Sequence, residues 1–234
     1  MTDVSALTFV SLEGETSYED IRKKQLELVE DRIADRIPDT VLFLEHRPVI
    51  TRGRGLQQNG SDRSRHMPIA AIPEGVEFHD SERGGDLTYH GPGQLVIYPI
   101  CKLDGSGFGP NRDVTEFIRK LERLLIAELS SWGIQGESRH GATGVWAGGK
   151  KVASIGVAVR KWVTYHGMAI NCVNDLSTFR AFSPCGFAPE VMGRLKDLLE
   201  VSSSNAGVEA RSALNGASWR PWFENRLAAR FHAR

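Results

Sequence analysis

The chain is poor in cysteine, carries no surplus charge and lacks long apolar runs, and each shortage excludes a class of proteins. Only three of its 234 residues are cysteine, an odd number without a Cys-x-x-Cys pair, which excludes a disulfide framework. Lysine plus arginine and aspartate plus glutamate are both 29, and this balance predicts no binding of nucleic acid. Because no stretch approaches the roughly 18 apolar residues of a membrane span, we expect no membrane association.

The N-terminus and the histidines exclude two further features. The first residues, MTDVSALTFV, lack the basic segment and long apolar run of a signal peptide. We therefore expect a cytoplasmic protein whose thiols stay reduced. His46, His66, His79 and His140 are not spaced as metal ligands are, so we expect neither a metal nor another cofactor.

What is present is the composition of an ordinary globular protein. Hydrophobic residues make up 41% of the chain and charged residues 25%, which is typical of soluble domains. A chain of 234 residues can bury a full core without covalent staples. Neither an internal repeat nor a linker divides it, so we expect one domain over residues 1–234. We also expect a monomer.

Helical and strand patterns follow one another along the chain. Capping pairs and apolar residues at helical spacing mark the helices, and apolar runs with a Gly-Gly turn mark the strands. The order predicts the α+β class, a mixed β-sheet flanked by helices. The predicted helices span 17–38, 113–133, 191–200 and 218–231; the strands span 7–14, 40–46, 94–101 and 162–173, with a hairpin over 144–160; residues 47–82 and 201–218 are predicted as connecting segments.

Residues 83–99, RGGDLTYHGPGQLVIYP, form the first stretch that could carry chemistry, since four of the first eleven are glycine. Glycines allow tight turns and close approach of a backbone to a ligand. No Gly-Lys-Ser/Thr follows, which excludes a phosphate loop, and a strand follows where a dinucleotide fingerprint needs a helix. The pattern alone leaves two interpretations open: a ligand-binding loop, or a glycine-rich hairpin.

The lysine pair in GGKKVASIG forms the second stretch. Strict alternation along a strand puts Lys151 on one face with Ala153 and Ile155, and Lys150 on the other with Ser154. Only one lysine can therefore face a pocket, where loss of solvation would let it act as a general base. The sequence does not choose between this role and a solvated lysine at a hairpin tip.

Cys185 is framed by Pro184 and Gly186, a combination that favours a defined turn. Cys101 and Cys172 lie in apolar runs and are interpreted as core residues. A thiol needs a base or a positive charge nearby to become a nucleophile at neutral pH. The candidates are Lys150 or Lys151, His90 and His166; an inert Cys185 is the alternative.

In combination, these stretches resemble the lipoyl(octanoyl) transferase family. The match is to RGGDLTYHGPGQLVIYP, GVWAGGKKVASIG, YHGMAIN and PCGF, in that order, with an earlier piece EHRPVITRGRG. It covers roughly residues 40–195. The resemblance implies the fold shared by the catalytic domains of biotin protein ligases and lipoate–protein ligases, with helices around a mixed sheet and an acyl cavity.

The resemblance also implies an activity and a set of site residues. The family moves an octanoyl group from acyl carrier protein to one lysine of a lipoyl domain, such as those of 2-oxo acid dehydrogenase E2 subunits and glycine cleavage H protein. Cys185 matches the acyl-accepting cysteine, and Lys151, not Lys150, matches the lysine that acts on it. The matched substrate-binding residues are Arg83, Gly84, Gly85, Asp86, Leu87, Thr88, Tyr89, His90, Ser154, Ile155, Gly156, Gly167, Met168 and Ala169.

Chemistry supports this reading, because exchange between a thioester and a thiol is nearly isoenergetic and needs no ATP. We expect a narrow apolar cavity, with Ala153, Ile155 and Met168 as wall residues by alternation. Arg52, Arg54, Arg63 and Arg65 are candidate contacts for an acidic carrier protein, with solvated surface charge as the alternative for each of them. The alternatives are an ATP-dependent lipoate–protein ligase, a thiol-dependent amidotransferase whose cysteine lies elsewhere in the chain, and a non-catalytic acyl- or protein-binding module.

Overall fold

A computed structural model describes residues 7–57, 72–181, 188–201 and 204–232, and all elements named here lie in these ranges. Two short 3-10 segments, Ser177–Ala181 and Pro189–Val191, accompany the regular elements. The strands are β1 (Leu7–Thr16), β2 (Asp39–His46), β3 (Val49–Arg52), β4 (Glu77–Asp80), β5 (Leu87–His90), β6 (Gln94–Ile100), β7 (Gly136–Glu137), β8 (Gly144–Ala147), β9 (Lys150–Arg160) and β10 (Val163–Asn171); the helices are α1 (Tyr18–Ile33), α2 (Arg54–Gln57), α3 (Val114–Ser131), α4 (Leu195–Glu200), α5 (Asn205–Asn215) and α6 (Trp219–His232).

The larger sheet has the order β1-β2-β6-β10-β9-β8-β7. Its β1–β2 pair is parallel and its other pairs are antiparallel, so the predicted mixed sheet is confirmed. Alternate residues of β2 enter two cores, because successive strand side chains point to opposite faces. Val41 and Phe43 pack with α3 and α6, whereas Leu42 and Leu44 pack with α1. The prediction of a strand buried on both faces is thereby confirmed.

Side chains cap both long helices at the N-termini that the sequence predicts. Ser17 accepts a hydrogen bond from the Asp20 amide at 3.4 Å, and Asp113 accepts one from the Glu116 amide at 2.8 Å. The end predicted for α1 at Pro38 is wrong, since the helix ends at Ile33. Two residues later, Asp35 has a φ of 53°, and this left-handed conformation turns the chain into β2.

Two segments predicted as connections contain regular structure. Within 47–82, β3 pairs in parallel with β4 and antiparallel with β5, forming a three-stranded sheet in the order β4-β3-β5. Within 201–218, α5 begins at Ser204, whose hydroxyl accepts the Gly207 amide at 3.0 Å. The strands are four residues long and lie among arginines and glycines, so their apolar pattern is too short to detect.

A β-bulge beside the two lysines of the β8–β9 hairpin changes which residues of β9 share a face with each lysine. Gly148 and Gly149 make the predicted turn with φ values of 56° and 76°. Val145 then pairs with Ala153 but Trp146 pairs with Lys151, so Val152 is the extra residue. The extra residue moves Lys151 away from the face of Ala153. The alternation predicted for this part of β9 is therefore wrong.

Among the described residues, no helix has both the length and the apolar character needed to cross a membrane.

Candidate active site

A small pocket brings together segments that are distant in sequence. It lies where β9 and β10 of the larger sheet meet β5 and the loop before it, and the described residues enclose about 40 Å³. All but three of the predicted substrate-binding residues line it, together with Lys151. The lining residues are Arg83, Gly84, Gly85, Thr88, His90, Lys151, Ser154, Ile155, Gly156, Gly167, Met168 and Ala169.

The glycine-rich loop is fixed from both sides. The amide of Gly84 donates to the carbonyl of Val157 in β9 at 3.0 Å, and the amide of Gly55 donates to the carbonyl of Gly85 at 3.0 Å. A Cβ on Gly156 would lie 2.8 Å from the Gly84 carbonyl oxygen. The loop can therefore approach β9 this closely only because residue 156 lacks a side chain.

Arg83 anchors the same loop through a buried guanidinium. Its Nη2 donates to the carbonyl oxygens of Thr51 at 2.7 Å and of Asp86 at 2.8 Å, and its Nε donates to the Thr51 hydroxyl at 3.1 Å. The guanidinium can be buried because these oxygens accept hydrogen bonds from its N–H groups. Arg83 therefore shapes the pocket by holding β3 and the loop together.

Lys150 and Lys151 have opposite environments. Lys151 is 3% exposed and lines the pocket, where its Nζ lies 6.0 Å from the centroid of the Trp146 ring. Lys150 is exposed, and its Nζ donates to the carbonyl of Glu190 at 2.7 Å. The bulge at Val152 accounts for the difference. The structure thus favours Lys151 over Lys150 as the lysine of a reactive site.

His90 is held as a neutral ring with a defined proton position. The Gln94 amide nitrogen donates to the Tyr89 carbonyl at 3.1 Å and to Asn171 Oδ1 at 2.9 Å. Gln94 Oε1 therefore faces His90 Nδ1, at 2.8 Å, and must accept its proton. Burial holds the pKa of His90 well below its ordinary value, so the ring stays neutral at pH 7.

A buried polar cluster lies beside the pocket and was not predicted. His46 Nε2 is 2.9 Å from the Tyr98 hydroxyl, and the Tyr98 ring contacts His166 edge to face. His166, with a φ of 56°, directly precedes the pocket residue Gly167, and its Nε2 is 3.5 Å from Glu82. These residues come from separate elements, so no local pattern in the sequence could group them.

Three predicted substrate-binding residues lie outside the pocket lining. Leu87 and Tyr89 belong to a separate core cluster with Ile50 and Phe179, on the face of β5 opposite Thr88 and His90. A Cβ on Gly55 would lie 2.5 Å from Asp86 Oδ1, so the Asp86 carboxylate is directed to that glycine. At β5, the structure supports substrate contact for Thr88 and His90 alone.

Two predicted wall residues also line the pocket, and one does not. Ile155 and Met168 border both the pocket and the larger core. The prediction for Ala153 is wrong, because it packs in the larger core cluster and is not among the lining residues.

The predicted nucleophile, Cys185, lies outside the described residues. The prediction that Cys101 and Cys172 are core residues is confirmed, because both are completely buried and free of disulfides. Burial raises the pKa of both thiols, which disfavours either as a nucleophile. After the segment that contains Cys185, the chain returns to β9: Gly193 donates its amide to the Lys151 carbonyl at 3.1 Å.

Comparisons with known proteins agree with this arrangement. A family model described as the lipoyl protein ligase A/B catalytic domain matches residues 19–213. An octanoyltransferase of Syntrophobacter fumaroxidans is 38% identical over 221 residues, 92% of each chain. An octanoyltransferase of Gloeobacter violaceus is 45% identical over 168 residues, 71% of this chain and 70% of the relative.

Solved structures share the fold at low sequence identity. Lipoate-protein ligase A bound with ATP superposes with a TM-score of 0.63 at 17% identity, over 97% of this chain and 85% of that one. The bipartite lipoate protein ligase of Thermoplasma acidophilum gives a TM-score of 0.62 at 16% identity, over 98% and 82%. The chain therefore belongs to the lipoyl protein ligase A/B catalytic family and, within it, to the octanoyltransferases.

Proposed function

We propose that octanoyl transfer by this chain passes through a thioester on Cys185, with Lys151 as the proton acceptor. The observation that carries the proposal is the pocket itself, which brings the buried Lys151 together with the glycine-rich loop, Ser154–Gly156 of β9 and Gly167–Ala169 of β10. A buried lysine amine beside a cleft of backbone groups is suited to proton transfer in acyl exchange.

The proposed reaction has two balanced steps. Lys151 accepts the proton of the Cys185 thiol, the thiolate attacks the octanoyl carbonyl, and the carrier's sulfur leaves and takes that proton. The neutral amine of the acceptor lysine then attacks the thioester, Lys151 accepts the amine proton, and the Cys185 sulfur leaves and recovers it. No bond in either step requires ATP.

Backbone amides of the glycine-rich loop are the proposed donors to the tetrahedral oxyanion. Gly84 already donates to Val157, so its amide is committed to the fold. Gly85, with a φ of 83°, is the pocket glycine whose amide we assign to the oxyanion. One such donor typically contributes about 3 kcal/mol to the transition state.

The acyl chain needs more room than the described pocket offers. A cavity needs about 10–15 Å³ by this measure to hold one water molecule, so about 40 Å³ has room for only a few. We infer that the pocket widens or extends when an eight-carbon chain binds. Burial of each methylene contributes about 0.8 kcal/mol, which favours such an opening.

The proposal includes the identity of the partners and the state of the enzyme. The donor is octanoyl-acyl carrier protein, and the acceptors are lipoyl domains of 2-oxo acid dehydrogenase E2 subunits and glycine cleavage H protein. The chain acts as one domain and as a monomer in the cytoplasm, without a cofactor.

Intact mass spectrometry after mixing with octanoyl-acyl carrier protein, without ATP, tests the mechanism. We expect a mass gain of one octanoyl group that hydroxylamine removes and that Cys185→Ala lacks. Cys172→Ala is the matched control, because this thiol is buried, and it should retain the adduct. Transfer that requires ATP and free octanoate, with no adduct on either protein, would overturn the proposal in favour of a ligase.

A further inference from the structure

Two residues of β8 define the place of the Lys151 side chain. Trp146 lies directly opposite Lys151 in the antiparallel ladder, where paired side chains share a face. The ring centroid of Trp146 is 6.0 Å from Lys151 Nζ, so the ring borders the amine that the proposed reaction needs in its neutral form. A Cβ on Gly144 would lie 2.9 Å from Lys151 Cε, so the glycine leaves the space that the lysine chain occupies.

The Trp146 ring is itself held firmly. It is 2% exposed, and its Nε1 donates to the Ala142 carbonyl at 3.0 Å. The guanidinium carbon of Arg139 lies 4.2 Å from the ring centroid, a cation–π contact that also holds the ring. A side chain fixed in this way can act as a rigid wall for a flexible neighbour.

Lys151 needs such a wall because a lysine side chain has many rotamers to lose when it is ordered. Proton transfer requires the amine within hydrogen-bond reach of its partner, and a displacement of about 1 Å can cost on the order of 100-fold in rate. Trp146 is not among the pocket-lining residues. We therefore assign its effect on the reaction to the placing of Lys151, which its ring borders.

We propose that Trp146 is a positioning residue for octanoyl transfer, whose ring holds the Lys151 amine in reach of the reacting thiol. The inference rests on the proposed function, since it takes Lys151 and Cys185 as the reacting pair. It extends that function to a residue of β8 that is outside the described pocket lining.

The test compares Trp146→Leu, Trp146→Phe and Arg139→Gln in the full chain, by rapid mixing with octanoyl-acyl carrier protein and intact mass spectrometry. We expect Trp146→Leu to lower the rate constant of adduct formation at saturating donor by on the order of 100-fold. The half-saturating donor concentration should change less than about 2-fold, because binding itself is untouched. Trp146→Phe, which keeps a ring, should restore most of the rate, and Arg139→Gln, which removes one of the contacts that hold the ring, should fall between Trp146→Leu and the wild type.

The amplitude of the adduct separates positioning from misfolding, because it reports the fraction of folded enzyme while the rate constant reports the geometry. A Trp146→Leu enzyme that forms its adduct at the wild-type rate would overturn the inference, as would equal losses in Trp146→Phe and Trp146→Leu. Failure of the proposed function gives a different result, namely no adduct on the wild type.

Discussion

At the scale of single residues, two neighbouring lysines show that burial, not residue type, decides which of them can do chemistry. Lys150 is exposed and bound to a backbone carbonyl, whereas Lys151 is buried at the pocket. A buried lysine has lost the solvation that favours its charged form. An exposed lysine keeps that solvation.

The two lysines give a matched pair of variants. We expect Lys151→Gln to lower the single-turnover rate of octanoyl transfer by about 10²- to 10⁴-fold, the usual contribution of a general base. Lys150→Gln should stay within about 2-fold of the wild type, since its side chain is exposed and is hydrogen-bonded to the Glu190 carbonyl outside the pocket. A quenched time course with octanoyl-acyl carrier protein and a lipoyl domain measures both. Equal losses in the two variants would contradict the role assigned to Lys151.

Residues of the site could be predicted from the sequence where they lie in contiguous motifs, and not where they meet only in space. Thr88 and His90 were predicted within one motif, and both line the pocket. Trp146 and His46 also lie in matched motifs, but neither was assigned a role in the site. Their contacts with Lys151 and Tyr98 depend on strand pairing and side-chain direction, which span many residues of sequence.

At the scale of elements, the β8–β9 hairpin has a turn that the local sequence determines and a bulge that the strand register determines. The Gly-Gly turn was predicted because two left-handed residues are needed there and glycine supplies them. The bulge at Val152 was not predicted, because it depends on how β9 pairs with β8 over several residues. One extra residue reverses the face of every side chain beyond it. The strand was predictable, and its inward face was not.

Gly144, at the start of β8, and Gly149, in the turn, should differ in how well they tolerate a side chain. Gly144 has a φ of 132°, and a Cβ there would lie 2.2 Å from the Ala153 carbonyl oxygen. Gly149 has a φ of 76° and no atom near its absent Cβ. We expect Gly144→Ala to lower the free energy of unfolding by on the order of 3 kcal/mol, from strain and overpacking together. Gly149→Ala should cost about 1 kcal/mol, from strain alone.

Urea unfolding followed by tryptophan fluorescence measures both substitutions, and the rate of adduct formation supplies a second comparison. Gly144→Ala should also slow the reaction, because its Cβ would displace Lys151 Cε, while Gly149→Ala should not. Equal costs in the two variants would show that backbone strain dominates and that the space around Lys151 is not tight.

At the scale of the whole molecule, the site is a joint between two sheets. The loop before β5 belongs to the smaller sheet, and Gly156 and Gly167 belong to the larger one. Arg22 of α1 donates to Glu82 beside this joint, at 3.1 Å, and Glu82 lies next to His166. The motifs predicted which residues belong to the site. Their assembly required strands in residues 47–82 that the sequence did not reveal.

The buried histidines at this joint make the stability of the whole molecule depend on pH. Burial lowers the pKa of His46 to about 3 and lowers those of His90 and His166 as well. In the unfolded chain each would titrate near 6.5. Between these values the unfolded state binds protons that the folded state does not, so the free energy of unfolding falls as the pH falls. The loss should begin near pH 6.5.

Urea unfolding at intervals from pH 7.5 to 4.5 measures this dependence. Each histidine that stays neutral in the folded state contributes a slope of up to about 1.4 kcal/mol per pH unit. His166 and Arg22 hold the pKa of Glu82 far below its ordinary value, so loss of the Arg22–Glu82 ion pair falls below this window and does not add to the slope. We expect His46→Gln to reduce the slope by about one histidine's share, even if it lowers stability at every pH. His140→Gln, at an exposed position, should leave the slope unchanged, and a wild-type stability that is flat over this range would show that the cluster takes up protons without unfolding.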